Sequence, residues 1–97
     1  MNRNDAIDII TQNLEEIRKL GVISIGIFGS TARNEAKDDS DIDVIVKFEK
    51  DKINFDNYMD LKFYLEKIFQ KKVDVLSDTA IKPYAKEKIL QDVIYAA

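Results

Sequence analysis

The sequence contains neither cysteine nor histidine among its 97 residues. Without cysteine, the chain can form no disulfide bond and no thiolate metal site. Without histidine, any general base or metal ligand has to be a carboxylate, a lysine or a tyrosine. The side-chain chemistry of a functional site is therefore restricted mainly to oxygen ligands.

Long apolar runs are also absent, since no stretch approaches the roughly 20 residues that a membrane helix needs. The first residues, Met1–Asp5, lack the apolar core of a signal peptide. We therefore expect a cytoplasmic protein without a membrane partner.

Positive charge is not in surplus, because the formal net charge is -3. Broad nucleic-acid binding depends on an excess of lysine and arginine against phosphate, so we expect no direct nucleic-acid partner. A local basic patch is the alternative interpretation of five lysines, although a solvated surface is favoured. These lysines are Lys47, Lys50, Lys52, Lys71 and Lys72.

What the sequence does contain is typical of a small folded domain: 45% of its residues are apolar and 34% are charged. A chain of this length predicts a single domain, residues 1–97. The pattern of apolar residues predicts helix over Asp5–Leu20, capped by Asn4 and followed by Gly21. Strand Val22–Phe28 and a short helix over Ser30–Ala36 come next.

The second half of the chain follows the same alternation. After a polar turn over Lys37–Ser40, we predict a strand, a charged connection, a helix, a third strand, a loop and a last helix. Pro83 suits the first turn of that helix, and Leu90, Val93, Ile94 and Ala97 would share one of its faces. The order α-β-α-β-α-β-α predicts an α/β (α+β) fold, a small mixed β-sheet flanked by helices. The predicted bounds are Ile42–Phe48 for the second strand, Lys50–Asp56 for the connection, Asp56–Gln70 for the helix, Val73–Leu76 for the third strand and Ser77–Ile81 for the loop.

Asp41 and Asp43 stand at the start of the second predicted strand. Because side chains alternate along a strand, both carboxylates point to one face. Ile42, Val44 and Val46 point to the other face, toward the core. Ile45 follows the acids on their own face and is apolar, so the two acids should lie at the open end of a face that is covered further along.

Asp74 is the one acid in the third predicted strand, and it would lie beside Asp43 if the two strands pair. Two unit charges 4 Å apart at an effective dielectric constant of about 20 repel by about 4 kcal/mol. Three carboxylates (Asp41, Asp43 and Asp74) therefore need a neutralising partner, and an all-oxygen site favours Mg²⁺ or Mn²⁺. Taken singly, Asp41 could be a turn or cap residue, and Asp74 an edge-strand charge that prevents aggregation.

Gly29-Ser30 follows the first predicted strand and opens the short helix. Glycine lets a phosphate approach the backbone closely, Ser30 adds a hydroxyl donor, and Arg33 adds a fork of donors one turn later. The alternative is that the pair only turns the chain and caps a helix. Beside the carboxylates, however, the turn indicates a site for a nucleoside triphosphate with its metal.

These motifs together resemble the signature of the polymerase-beta-type nucleotidyltransferases, and in particular of their minimal nucleotidyltransferase (MNT) branch. The resemblance covers nearly the whole chain, including Asp74 and the segment Lys82-Pro83-Tyr84. One departure is Asn34, where many relatives have glycine, although asparagine tolerates left-handed backbone angles. The matching residues are Gly29, Ser30, Ala32, Arg33, Ala36, Ser40, Asp41, Ile42, Asp43 and Val44.

The resemblance implies transfer of AMP from ATP with two Mg²⁺ ions. Members of this branch are typically antitoxins that modify a tyrosine of a helical HEPN ribonuclease toxin. The resemblance further implies that Asp41, Asp43 and Asp74 are the catalytic metal ligands, with Asp74 accepting the proton of the acceptor hydroxyl. Gly29, Ser30 and Arg33 would bind the nucleotide. Glu35 and Asp39 are the substitutes if the role of Asp74 is wrong.

Two other functions remain open. The chain could neutralise its toxin by binding alone, although the complete set of acids and Ser30 argue against that. It could instead modify a small molecule such as an aminoglycoside, although enzymes of that kind carry a second domain for the acceptor. The length of the chain favours an acceptor site that a partner helps to form.

Overall fold

The computed structural model describes residues 1–97 as five α-helices, four β-strands and two short 3₁₀ helices. The mixed α/β architecture confirms the predicted fold class. The helices are α1 (Arg3–Gln12), α2 (Leu14–Lys19), α3 (Gly29–Ala32), α4 (Phe55–Phe69) and α5 (Pro83–Asp92); the strands are β1 (Val22–Phe28), β2 (Ile42–Phe48), β3 (Val73–Ser77) and β4 (Ile94–Tyr95). The 3₁₀ helices are Lys50–Lys52, within the predicted connection, and Asp78–Ala80, within the predicted loop.

The sheet has the strand order β3-β2-β1-β4. Strand β1 is antiparallel to both β2 and β4, whereas β2 and β3 run parallel. The parallel pair is connected by α4, as a parallel crossover requires a long connection. The sheet is therefore mixed, as the sequence predicts.

One face of the sheet carries the hydrophobic core. Ile42, Val44 and Val46 of β2 are at most 1% exposed and pack in one cluster with residues of α1, α2 and α4. Ile45 is also buried but is not part of that cluster, as expected for a residue on the opposite face. Asp43 stands two residues before Ile45 on that second face.

The first helix differs from the prediction in two respects. Its N-cap is Asn2 rather than Asn4: the Asn2 side chain accepts a hydrogen bond from the Asp5 N–H, and the Asp5 side chain accepts one from the Asn2 N–H. The predicted helix Asp5–Leu20 is interrupted at Asn13, whose side-chain amide donates to the Ile9 carbonyl oxygen and accepts from the Tyr64 hydroxyl. Such side-chain bonds compete with the regular helical ladder, so α1 and α2 are separate.

The end of the chain also corrects the prediction, because helix α5 ends at Asp92. Ile94 and Tyr95 form strand β4 beside β1, with Tyr95 opposite Gly26 and Ile94 opposite Ile27. A Cβ atom on Gly26 would lie 2.8 Å from the Ile94 carbonyl oxygen, so the absence of a side chain lets β4 approach. No helix of the chain has the length and apolar character required to cross a membrane.

The outer edge of β3 is covered by side chains of α4. Tyr58 donates its hydroxyl hydrogen to the Val75 carbonyl oxygen at 2.9 Å, and Lys62 donates to the Val73 carbonyl oxygen at 2.5 Å. The Glu66 carboxylate accepts from the Val73 N–H at 3.2 Å. Three backbone groups at this edge thereby have side-chain partners on α4 in place of another strand.

Candidate active site

Three chain segments meet where β1 ends and where β2 and β3 begin. The register pairs Phe28 with Asp43 across β1 and β2, and Asp43 with Asp74 across β2 and β3. Residues in register on neighbouring strands share a face, so the Asp43 and Asp74 carboxylates are neighbours. The predicted juxtaposition of these two acids is confirmed as geometry.

The three acids differ in their exposure. Asp41 precedes β2 and is exposed, as is Asp74, whereas Asp43 between them is partly buried. Partial burial raises the pKa of Asp43 above its usual range, and the charges of Asp74 and Asp41 raise this pKa further. The Arg33 cation opposes this effect and lowers the pKa of Asp43. The site thus carries like-charge repulsion that one arginine only partly offsets.

Gly29 is required by its backbone and by its neighbour. Its φ angle is +70°, in the left-handed region where residues with a Cβ are strained. A Cβ at this position would also collide with Oδ2 of Asp43. The glycine therefore gives the Asp43 carboxylate room to lie against the turn, in addition to the open approach that the sequence predicts for a phosphate.

The helix after this glycine is shorter than predicted. Helix α3 covers only Gly29–Ala32, one turn, whereas the prediction was Ser30–Ala36. The chain leaves the helix because Asn34 adopts a left-handed φ of 62°. Ser30 lies within this single turn and is partly buried. The donors available to a phosphate are thus the backbone N–H groups of this turn and the Ser30 hydroxyl. The dipole of a long helix does not contribute here, because α3 is a single turn.

Asn34 does more than take the place of glycine in the turn. Its side-chain oxygen accepts a hydrogen bond of 3.1 Å from the backbone N–H of Arg3, in the first turn of α1. A glycine could adopt the same backbone angle but could not form this bond. The departure from the family pattern therefore preserves the turn and anchors it to the first helix.

Arg33 does not point freely into solvent. Its Nε donates to the Glu35 carboxylate at 3.2 Å, and its Nη1 donates to the Asp92 carboxylate at 2.9 Å. These two partners raise the pKa of Arg33 above its already high value, the Asp92 hydrogen bond contributing most. Asp92 is not among the site residues predicted from the sequence; the signal that could have indicated it is an acid in the last turn of a helix without a basic neighbour.

Whether the acids suit a metal depends on their donor atoms and on their charge. No group of three or more acidic side chains stands in metal-binding geometry in the structure. The donors are all carboxylate oxygens, which Mg²⁺ and Mn²⁺ prefer. The raised pKa of Asp43 is the effect that a bound cation would reverse. The chemistry of these donors therefore fits a hard divalent cation, whereas the three acids do not converge on one position in this structure.

A polar groove of about 380 Å³ lies beside Asp41 and contains no apolar residue. Lys71 and Lys72, two of the five lysines for which a basic patch was the alternative interpretation, line it, and the Lys71 ammonium group donates to the backbone carbonyl of Asp38. Asp39, the possible substitute for Asp74 as a ligand, lines this groove together with Asp41. The groove is lined by Asp38, Asp39, Ser40, Asp41, Gln70, Lys71 and Lys72.

Comparisons with known proteins identify the family to which this chain belongs. The family model of the nucleotidyltransferase domain matches residues 7–96. The chain is 36% identical over 88 residues to the protein adenylyltransferase MntA of Thermococcus cleftensis, covering 90% of this chain and 88% of that protein. This chain therefore belongs to the nucleotidyltransferase-domain family, and it is a nucleotidyltransferase of the minimal type.

Two solved structures share the fold. One is a minimal nucleotidyltransferase, with a TM-score of 0.84, 30% identity and coverage of 97% of this chain and 95% of that chain. The other is the complex of a tri-AMPylated Shewanella oneidensis HEPN toxin with an MNT antitoxin. Its matching chain has a TM-score of 0.67 and 15% identity, and the match covers 94% of this chain and 71% of that one. At that identity the second likeness concerns the fold alone.

Proposed function

We propose that this chain is the antitoxin of a toxin–antitoxin pair and transfers AMP from ATP to a tyrosine hydroxyl of a HEPN ribonuclease toxin. The observation that carries the proposal is the placement of the Asp43–Asp74 pair against the Gly29-Ser30 turn, in a member of the nucleotidyltransferase-domain family. The protein adenylyltransferase MntA and the AMPylated toxin complex support the choice of donor and acceptor.

The nucleotide is bound where β1 ends and the single turn of α3 begins. The Gly29 backbone and the Ser30 hydroxyl donate to phosphate oxygens, because the first N–H groups of a helix have no intrahelical partner. Arg33, one turn later, donates to the same phosphates. These contacts align the α-phosphorus for attack and hold the pyrophosphate that leaves.

Asp74 receives the proton of the acceptor. Of the two paired acids, Asp74 is exposed whereas Asp43 lies against Gly29, so an incoming tyrosine reaches Asp74 first. The tyrosine oxygen forms a bond to the α-phosphorus while the bond from that phosphorus to pyrophosphate breaks. The hydroxyl proton passes to the Asp74 carboxylate, as general base catalysis requires a group within hydrogen-bond reach.

Asp41, Asp43 and Asp74 would together hold the Mg²⁺ ions. When bound, Mg²⁺ neutralises the triphosphate and polarises the reacting phosphoryl group. The residues of the chain supply the all-oxygen ligand set and its place beside the phosphate turn.

The acceptor is expected to be a protein rather than a small molecule. The cavity beside Asp41 is an open polar groove with no enclosed apolar pocket of the kind that usually binds small ligands. A partner surface would therefore have to position the tyrosine. Correct positioning can contribute roughly 7–11 kcal/mol toward lowering a reaction barrier.

The proposal is tested by incubating the purified protein with Mg²⁺ and ATP labelled at the α-phosphate, in a lysate of cells that express a HEPN toxin partner. We expect label on one helical protein, at a tyrosine identified by mass spectrometry, and a parallel loss of its ribonuclease activity. Asp60→Ala, an exposed acid on α4, is the matched control and should label as well as the wild type.

The alternatives predict different outcomes of the same experiment. Label on a small molecule would contradict a protein acceptor. If no label is transferred and Asp43→Ala still protects cells from the toxin as well as the wild type does, protection occurs through binding alone. Loss of protection in Asp43→Ala, with the complex still formed, supports catalysis.

A further inference from the structure

The guanidinium group of Arg33 has three nitrogen atoms, and two of them donate hydrogen bonds to acidic side chains. Nε donates to Glu35, two residues along the chain, and Nη1 donates to Asp92, 59 residues away. Nη2 forms no hydrogen bond within the chain. The guanidinium is therefore fixed on two sides and open on the third.

Asp92 stands at a position that is unfavourable for an isolated acid. It is the last residue of α5, and the last turn of that helix contains no basic residue. A carboxylate near a helix C-terminus is repelled by the partial negative charge there. The bond to Arg33 is the compensating interaction that the structure offers.

Arg33 in turn is tied to the turn that holds Asp43. The Arg33 backbone N–H donates to the Gly29 carbonyl oxygen at 3.1 Å, and Gly29 is the residue whose missing Cβ leaves room for Oδ2 of Asp43. Asp92, Arg33, Gly29 and Asp43 thus form a continuous series of contacts from α5 to β2.

We propose that Asp92 is a positioning residue for the nucleotide: it fixes the Arg33 guanidinium so that Nη2 faces the triphosphate. This inference rests on the proposed function, because it takes Gly29, Ser30 and Arg33 as the phosphate site. Asp92 itself does not touch the nucleotide. Its side chain acts through Arg33, and it connects the segment just before β4 to the reaction site.

The proposal predicts a specific kinetic signature for Asp92→Asn. Removing the charge frees the guanidinium to rotate, so ATP binds less tightly while the carboxylates that carry the chemistry are unchanged. The KM for ATP should rise about two- to fivefold, the range that a partly exposed ion pair provides, with kcat nearly unchanged. Asp92→Glu should recover most of the affinity, whereas Glu87→Gln, another acid of α5, should behave as the wild type.

The double variant tests whether Asp92 acts through Arg33. If it does, Asp92→Asn should add almost nothing to the loss of ATP affinity already caused by Arg33→Lys, because coupled residues are not additive. Additive losses would overturn the proposal, as would an unchanged or lowered KM in Asp92→Asn. A fall in kcat that tracks a fall in melting temperature would also overturn it, since that pattern indicates a merely structural role.

Calorimetric titration with Mg²⁺ and a non-hydrolysable ATP analogue separates this inference from the proposed function. If the wild type binds the analogue but transfers no label, the proposed reaction fails, and the affinities of the variants still test Asp92. A wild type that does not bind the analogue overturns both. Equal affinities of the wild type and Asp92→Asn overturn the role of Asp92 alone.

Discussion

The two faces of strand β2 differ in burial and in charge. On one face, Ile42, Val44 and Val46 are almost fully buried against the helices. On the other, Asp43 is partly buried beside a second acid and has a raised pKa. Neighbouring residues of a single strand thus serve stability and chemistry separately.

This separation has a physical basis in the alternation of side chains. A strand residue can be changed on one face while its neighbours on the other keep their surroundings. We therefore expect substitutions on the acidic face to affect activity with little cost in stability. Substitutions on the core face should do the opposite.

The largest expected effect is the loss of transfer in Asp41→Ala, Asp43→Ala and Asp74→Ala. Each variant removes a proposed metal ligand, an effect of several kcal/mol on the transition state, or at least about a thousandfold in rate. Rates of label transfer and urea unfolding of the same samples measure the two consequences. Near-normal transfer by Asp74→Ala would contradict its assignment and direct attention to Glu35 or Asp39.

Next in size is Gly29→Ala, which should reduce both activity and stability. A left-handed backbone angle costs a residue with a Cβ roughly 1–2 kcal/mol, and the new methyl group would displace the Asp43 carboxylate. Gly21→Ala is the matched control, because Gly21 also has a positive φ and a Cβ there would meet the side chain of Lys52. The Gly21→Ala variant should lose stability and keep its activity per folded molecule. Equal transfer per folded molecule by both variants would show that Gly29 has no role in the active site.

A smaller effect is expected from Ile42→Val on the core face, between the two acids. Removing one buried methylene should lower the free energy of unfolding by about 0.5–1.5 kcal/mol. Transfer by the folded fraction should be unchanged, because the substitution faces away from the carboxylates. A large loss of transfer at unchanged stability would show that the two faces are not independent.

The smallest expected effect is a gain in stability from Asp43→Asn at neutral pH in the presence of a chelator. Because the pKa of Asp43 is raised in the folded state, the folded protein binds more protons than the unfolded chain, and its stability falls as pH rises through the carboxylate range. Thermal melts should therefore show the variant above the wild type at pH 7 and the difference vanishing below the unfolded pKa. Mg²⁺ should raise the melting temperature of the wild type more than that of the variant. Identical melting temperatures in all conditions would show that repulsion at Asp43 does not affect stability.

Some of this structure could be predicted from the sequence. Strands β1 and β2 have the bounds that their apolar runs predict, because Gly21 and Gly29 interrupt the pattern on either side of β1. Strand β4 could not be recognised, since two residues are too few to distinguish a strand from the end of an amphipathic helix. Its position depends on Gly26, which lets the backbone approach β1.

The site was predictable to a similar extent. The proximity of Asp43 and Asp74 follows from the alternation of side chains along their two strands, once these strands are assumed to pair. The bond from Arg33 to Asp92 could not be deduced, because it joins residues 59 positions apart and depends on the path of α5. The same is true of the bond between Asn34 and Arg3, which no local pattern indicates.

The side chains of Tyr58, Lys62 and Glu66 on the outer edge of β3 also govern how copies of this protein can associate. An exposed edge strand is a template on which a second chain can add its own strand, the first step toward fibrous aggregates. Here the carbonyl oxygens of Val73 and Val75 are already occupied by α4. A strand added at this edge would have to displace those side chains, whereas no such contact opposes addition at β4, on the opposite edge from the strand that carries Asp74.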